Sequence, residues 1–378
     1  MTERERFIAS LTFMSPDKFT LEPGRPREST LARWHEEGLP KYRNYFDYLC
    51  EILAIDISNQ TPRIKHSVSF TMIPEYEEKI LEHKEGHYIV QDWMGAITEI
   101  SDCFDLTYLR RARDFVTRKW HKFPVETHGD WEQMKRRYKV NTPGRFPEDF
   151  KERCSQLHDR DYPVSVSING PFWQLREWCG FENLCIMMIE KPDFVEEMAR
   201  FWADFVSQVM DVMLEDFCPD HVMVNEDMAY KVHSMISPKM VYQYLMPVYD
   251  QWIPKFKAKG CPVIDMDSDG YIAELIPLWI EAGFNCCRPL EVAAGNDIVK
   301  YRCLYGRKMA FRGGIDKRAL AKGGETMRKE VMRVVPPLLE EGGCILGCDH
   351  GVPSDISWAD FIEYTQVLAK LSGWIKTC

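Results

Sequence analysis

Residues 164–170, VSVSING, run into Pro171 and a stretch of helical spacing, and this order of strand then helix sets the fold. It recurs five times downstream: HVMVNED (221–227) before a helix opening after Ser237-Pro238; CPVIDMD (261–267) before YIAELIPLWIEAG; NCCRPLE (285–291) before NDIVKYRCLYG; KMAFRGG (308–314) before a charged helix reaching Glu340; CILGCD (344–349) before SWADFIEYTQVLAKL. Short apolar runs alternating with helices of this length are the pattern of parallel β/α units. Runs such as 261–264 lack strict alternation, as expected of strands covered on both faces. Gly283 and Gly306 stand where helices would end, and Ser357 where one would be capped. With FTLEP (19–23) as an earlier strand, seven or eight strands favour an α/β fold of the (β/α)8 TIM-barrel type. No G-x-G-x-x-G or Walker motif opens any of the helices, which argues against an open nucleotide-binding sheet.

Working outward, the texture changes near residue 160. Residues 1–160 hold charged helical stretches (29–37 and 41–55), the first barrel strand and an inserted excursion; residues 161–378 hold the main part of the barrel. Within the excursion HYIVQDWMGAITEI (87–100) has apolar flanks around residues 92–95 and reads as a β-hairpin. The 378 residues are enough for one large barrel. A composition of 45% hydrophobic and 28% charged residues excludes disorder as the main state. The formal charge of −10 gives no general attraction for nucleic acid or anionic lipid. Thirteen cysteines without any C-x-x-C fit neither a zinc ribbon nor a disulfide scaffold. The charged N-terminus and the lack of a long apolar run point to a reduced, cytoplasmic enzyme with no membrane segment.

A barrel places its chemistry at the C-terminal ends of its strands. There the sequence supplies Asn169, Glu226-Asp227, Asp267 and Asp269, Glu291, Arg312, Asp316 and Cys348-Asp349-His350. Each alone is compatible with a helix cap or a satisfied loop carboxylate; their convergence on one rim is the stronger signal. Asp265, Asp267 and Asp269 alternate, so they share one side of an extended strand, and like charges so close need a cation or protons. A metal or a cationic substrate would supply that, as would helix capping by Asp269. Cys348, Asp349 and His350 bring thiol, carboxylate and imidazole together, a set able to ligate zinc or transfer protons. No G-x-S-x-G elbow supports a serine nucleophile.

The runs VIDMDSDGYIAELIPLWIEAGFNCCRPLEVAAGNDI, FRGGIDKRALAKG and GCDHGVPSDISWADFIEY resemble the uroporphyrinogen decarboxylase superfamily, which also contains cobalamin-dependent methyltransferases. The resemblance covers residues 162–371 well and the first 160 loosely. True decarboxylases hold their tetrapyrrole with an arginine-rich N-terminal segment and an early catalytic Asp; here only Arg25, Arg27 and Arg33 lie nearby, without that pattern. The methyltransferase branch holds zinc with a His-x-Cys-Gly motif and a later Cys. These positions fall on Asp267-Ser268-Asp269-Gly270 and Cys348, so two soft ligands are replaced by carboxylates. The resemblance implies a corrinoid-dependent methyltransferase acting on a small O- or N-methylated substrate, with the corrinoid on a partner protein and a homodimer as one expected state. In that scheme Asp267, Asp269 and Cys348 hold zinc; Asp267, His350 and Glu226 are catalytic; Asn169, Asp227, Tyr230, Glu291, Arg312 and Asp316 bind substrate. A metal-free decarboxylase of a carboxylate substrate and a non-catalytic binding protein on the same barrel are the alternatives.

Overall fold

The computed structural model describes residues 1–57, 63–110, 112, 114 and 116–376. Three helices, Glu3–Leu11, Glu28–Glu36 and Tyr45–Ile52, lead into a four-stranded antiparallel sheet of β1 (Lys79–Lys84), β2 (His87–Gln91), β3 (Ile97–Ser101) and β4 (Lys119–Lys122). β2 and β3 form the expected hairpin, in register from His87↔Ser101 to Gln91↔Ile97. Its turn is closed by Asp92, whose Oδ1 accepts from the amides of Met94 and Ala96, both at 3.0 Å.

The six expected units all form. Their strands, β5 (Ser165–Asn169), β6 (His221–Asn225), β7 (Val263–Asp267), β8 (Cys286–Arg288), β9 (Ala310–Ile315) and β10 (Cys344–Cys348), make one parallel sheet in sequence order. The fold is a TIM barrel, but among the described residues only six barrel strands are regular, fewer than the seven or eight expected. Extended segments flank the two edges instead. On one side the chain through FTLEP runs along β10: Cys348 N–H donates to Pro23 O (3.0 Å), Val352 N–H to Arg25 O (2.9 Å), and Pro26 bridges Val352 in parallel. On the other, His66 meets Ser165 O at 3.2 Å beside β5. Two prolines, Pro23 and Pro26, explain why the first segment lacks a full ladder.

Strand parity sorts the core. Even-numbered Val166, Ile168, Val222, Val224, Ile264, Met266, Leu346 and Cys348 join the large cluster shared with the helices. Odd-numbered Val263 and Ile345, with Cys286 on β8 and Ala310 on β9, form a separate cluster with Phe7 and Leu11, so the first helix plugs the N-terminal end of the barrel. A Thr2–Glu5 capping box fixes that helix start. Gly283 ends its helix in the left-handed region (φ 100°) and Ser357 caps the last one, both as expected. Among the described residues no helix is long and apolar enough to cross a membrane.

Candidate active site

Above the plug, the inward-facing positions change character in two layers. The middle layer is ionic: Asp265 lies 3.0 Å from His221 Nε2 and 3.2 Å from Arg312, and Arg312 also holds Glu22 at 2.7 Å. The upper layer is wet. Ser167 is exposed on the parallel strand β5, Met223 and Asn225 are half-buried, and Asp267 and Arg288 meet at 3.2 Å with 28% and 35% of their side chains exposed. TIM-barrel interiors are ordinarily filled by branched apolar side chains. This one is open at its C-terminal end.

The alternating aspartates do share a side, and each has its own partner: the His221 imidazole and the Arg312 cation for Asp265, Arg288 for Asp267, and His350 (3.1 Å) for Asp269. The charge problem posed by the sequence is solved by side chains. Burial alone would raise Asp265, but the hydrogen bond from His221 and the charges of Arg312 and Arg288 outweigh it and bring the carboxyl down to about 2. Burial pushes His221 down, so the imidazole is neutral; its partners then assign Nε2–H to Asp265, with Nδ1 accepting from Ser165 at 2.9 Å. Asp267 goes the other way. Burial, aided by the neighbouring Asp265 and Asp269, raises it to about 6 against the pull of Arg288. The hydrogen bond to Asp269 raises His350.

Of the residues expected at the site, Asp267, Asp269, His350, Asp227, Glu291 and Tyr230 stand at the open end. Asp227, at φ +43°, is bound by Arg176 at 3.0 Å and raised by burial; Glu291 accepts from Lys317 (2.9 Å) and from the amide of Gly270 (3.1 Å). With Tyr230, Lys231 and Asp269 they line a cleft of about 370 Å³ beside the mouth. Asn169 is half-buried and engaged by Gln174 and Glu177 at 3.1 and 3.3 Å.

Four expectations are corrected. Glu226 is fully buried and faces the helices, where it accepts from the amide of Trp173 (2.9 Å) and from Tyr249, capping the helix Pro171–Cys179; burial raises its carboxyl to about 7. Gly170 is required beside it, since a Cβ there would fall 2.1 Å from its carboxyl carbon. Arg312 faces inward but is spent on Glu22 and Asp265 below the open layer. Asp316 caps the helix Lys317–Lys322 and pairs with Arg318 at 2.9 Å. Cys348 belongs to the outward set, 6% exposed in the helix-facing core, its thiol pushed up to about 12 by burial. It does not meet Asp267 and Asp269, and among the described residues no group of three His, Cys, Asp or Glu side chains stands ready to hold a metal ion. The residues present do not fit the expected zinc.

Arg288, Ser165, Ser167 and Asn225 were not singled out by sequence reasoning. A signal existed: V-S-V-S places a hydroxyl at every second position of a strand whose two faces should both be apolar, which marks an interior open to water. Arg288 carried the same parity signal as the last residue of CCR.

The family model for uroporphyrinogen decarboxylase (URO-D) matches residues 119–368, and the chain belongs to that family. Among solved structures, a methyltransferase from Methanosarcina mazei superposes with a TM-score of 0.56 at 14% identity, covering 98% of each chain, a likeness of fold. No protein of curated function matches the sequence.

Proposed function

We propose, from membership of the uroporphyrinogen decarboxylase family as the premise, that the chain is a methyltransferase moving a methyl group between a small O- or N-methylated compound and a corrinoid carried by another protein. The likeness to a protein named as a methyltransferase supports the reaction class. The observation that carries the reading is Asp267, a carboxyl at the open end of the barrel raised to about 6. About a tenth of it is then protonated at pH 7, enough to act as a general acid.

A methyl group departs from oxygen or nitrogen when the charge left on that atom is neutralised. Asp267 gives its proton to the leaving atom, which keeps the electrons of the broken bond to the methyl carbon. The resulting carboxylate stays beside Arg288, whose charge stabilises it. The corrinoid, when bound, supplies the methyl acceptor. The rim suits a macrocycle brought by a partner, because Tyr230 and Val232 stand 70% and 59% exposed on the loop beside the mouth. No step runs through a metal, since the ligand set for one is not assembled. Cob(I)alamin offered with a panel of methyl ethers and methylamines tests the proposal. Methylcobalamin formed from at least one donor is expected; none from any donor counts against it.

A decarboxylase is the second reading, favoured by one contact. Arg27, from the N-terminal segment, reaches the mouth and lies 3.4 Å from His350 Nδ1, where a cation could hold a substrate carboxylate. Release of carbon dioxide from a carboxylic acid, without methyl transfer, would select it.

A further inference from the structure

The two inward layers use the same residue types but differ in stoichiometry. In the middle layer one guanidinium, Arg312, faces two carboxylates, Glu22 and Asp265. In the upper layer Arg288 makes an ion pair, among the described residues, with Asp267 alone, the nearest atom being its Nε at 3.2 Å, while its charge also acts on Asp265 and Glu22. Its Nη1 touches the Met223 thioether at 3.7 Å, and among the described residues the terminal nitrogens of Arg288 have no other hydrogen bond or ion pair. The Arg288 side chain is 35% exposed. On the neighbouring strands β5 and β6 the exposed Ser167 hydroxyl accepts from the Asn225 amide at 2.7 Å.

We infer that Arg288 anchors a carboxylate on the methylated substrate, seating it in the upper layer of the barrel with the methyl-bearing atom against Asp267. A guanidinium presents its donors in a planar fork matched to a carboxylate. With Nε turned to Asp267, the Nη pair is the part left to take an incoming anion, while Ser167 and Asn225 offer hydroxyl and amide groups to the rest of a small polar molecule. The inference rests on the methyl-transfer reading and adds a consequence to it. The charged groups facing Asp267 are Arg288, His350, Asp265 and Asp269. A substrate anion adds a further negative charge and draws on the cation that Asp267 uses. An added negative charge beside Asp267 favours its protonated form. Binding thus loads the proton that departure of the methyl group requires.

Calorimetric titration of the full chain with methoxyacetate and 2-methoxybenzoate, against methoxyacetamide and anisole, tests the anchor without any turnover. The acids are expected to bind about 10- to 100-fold more tightly than the neutral compounds, with proton uptake at pH 7 seen as a dependence of the heat on the buffer's ionisation enthalpy. Arg288→Gln should erase that preference and the proton uptake. Arg288→Lys should keep part of both, and circular dichroism establishes that the variants are folded. Equal binding of acid and neutral partner, an unchanged preference in Arg288→Gln, or no binding of any acid up to about 10 mM would overturn the inference. Methyl transfer from neutral donors, indifferent to Arg288→Gln, would sink the anchor and leave the reaction standing. Arg288-dependent anion binding without methyl transfer from any donor would leave the anchor and sink the reaction.

Discussion

Asp265 and Asp267 are two residues apart on β7, point to the same side, and each meets an arginine from a neighbouring part of the barrel, yet burial and counter-charge separate their behaviour. Asp265 has no exposed surface and is faced by His221 and Arg312, and its carboxyl falls to about 2. Asp267 is part-exposed, shares one arginine, and is crowded by like charges on either side, so its carboxyl rises to about 6. Nearly the same pair of side chains is a closed structural tie in one layer and a poised acid in the next. The difference lies in how many opposing charges each carboxylate commands and in whether water reaches it.

The sharpest way to break that comparison is to remove the middle-layer cation. Arg312→Met leaves Glu22 and Asp265 without it and is expected to cost about 3–5 kcal/mol of stability, because buried charge is left uncompensated. Urea unfolding measures it; a cost below about 1 kcal/mol would mean the middle layer is not a structural tie. In the upper layer the expected loss is in rate. Asp267→Asn keeps the shape and removes the proton, and should slow methyl transfer about 10²- to 10³-fold while the fold remains intact. Full turnover in this variant would remove Asp267 from the mechanism.

The pH dependence of stability sharpens the comparison further, because the two carboxyls act with opposite sign. Asp267 is raised above its unfolded value of 3.8, so the folded state takes up its proton first, and stability increases as pH falls from about 6 to about 4. Asp265 is lowered below 3.8, so its contribution is complete above about 4 and is lost as pH falls toward about 2, a change of about 2 kcal/mol. Glu226 and Asp349, raised to about 7 and about 6 by burial, act in the direction of Asp267. The difference between the parent chain and Asp267→Asn isolates one residue: the variant should gain about 3 kcal/mol at pH 7 and well under 1 kcal/mol at pH 4. A constant difference across that range would contradict the raised Asp267.

The fold was legible because each β/α unit is written locally. A strand of apolar residues, a polar end and a helix with its own cap lie within one stretch of chain, as Ser357 and Gly283 illustrate. The first barrel segment was harder to read: with Pro23 and Pro26 in it, FTLEP takes its place from contacts with Cys348 and Val352, more than 300 residues away. In the site, residue type was legible and direction was not. That Asp265, Asp267 and Asp269 need compensation followed from spacing alone. That the compensation comes from Arg312, Arg288 and His350 depends on three other strands or strand ends, which no local pattern specifies. Glu226 and Asp227 show the same limit at a single peptide bond, one turned into the helix layer to cap a neighbour's first turn and the other left at the rim.

Cys348 gives the smallest expected effect and tests that point about direction. Along β10, Ile345 packs with the plug inside the barrel while Cys344, Leu346 and Cys348 pack against the helices. Successive side chains on a strand alternate faces, so a thiol at 348 can be brought to Asp267 only by a register shift that would also turn Ile345 out of the plug. Cys348→Ala should therefore behave as a core truncation, costing about 1 kcal/mol, with no change in zinc content on elemental analysis and little change in transfer rate. Stoichiometric zinc in the parent chain that disappears in the variant would show that the strand end rearranges to bring sulfur to the mouth, and the division between an outward structural face and an inward chemical one would fail at that residue.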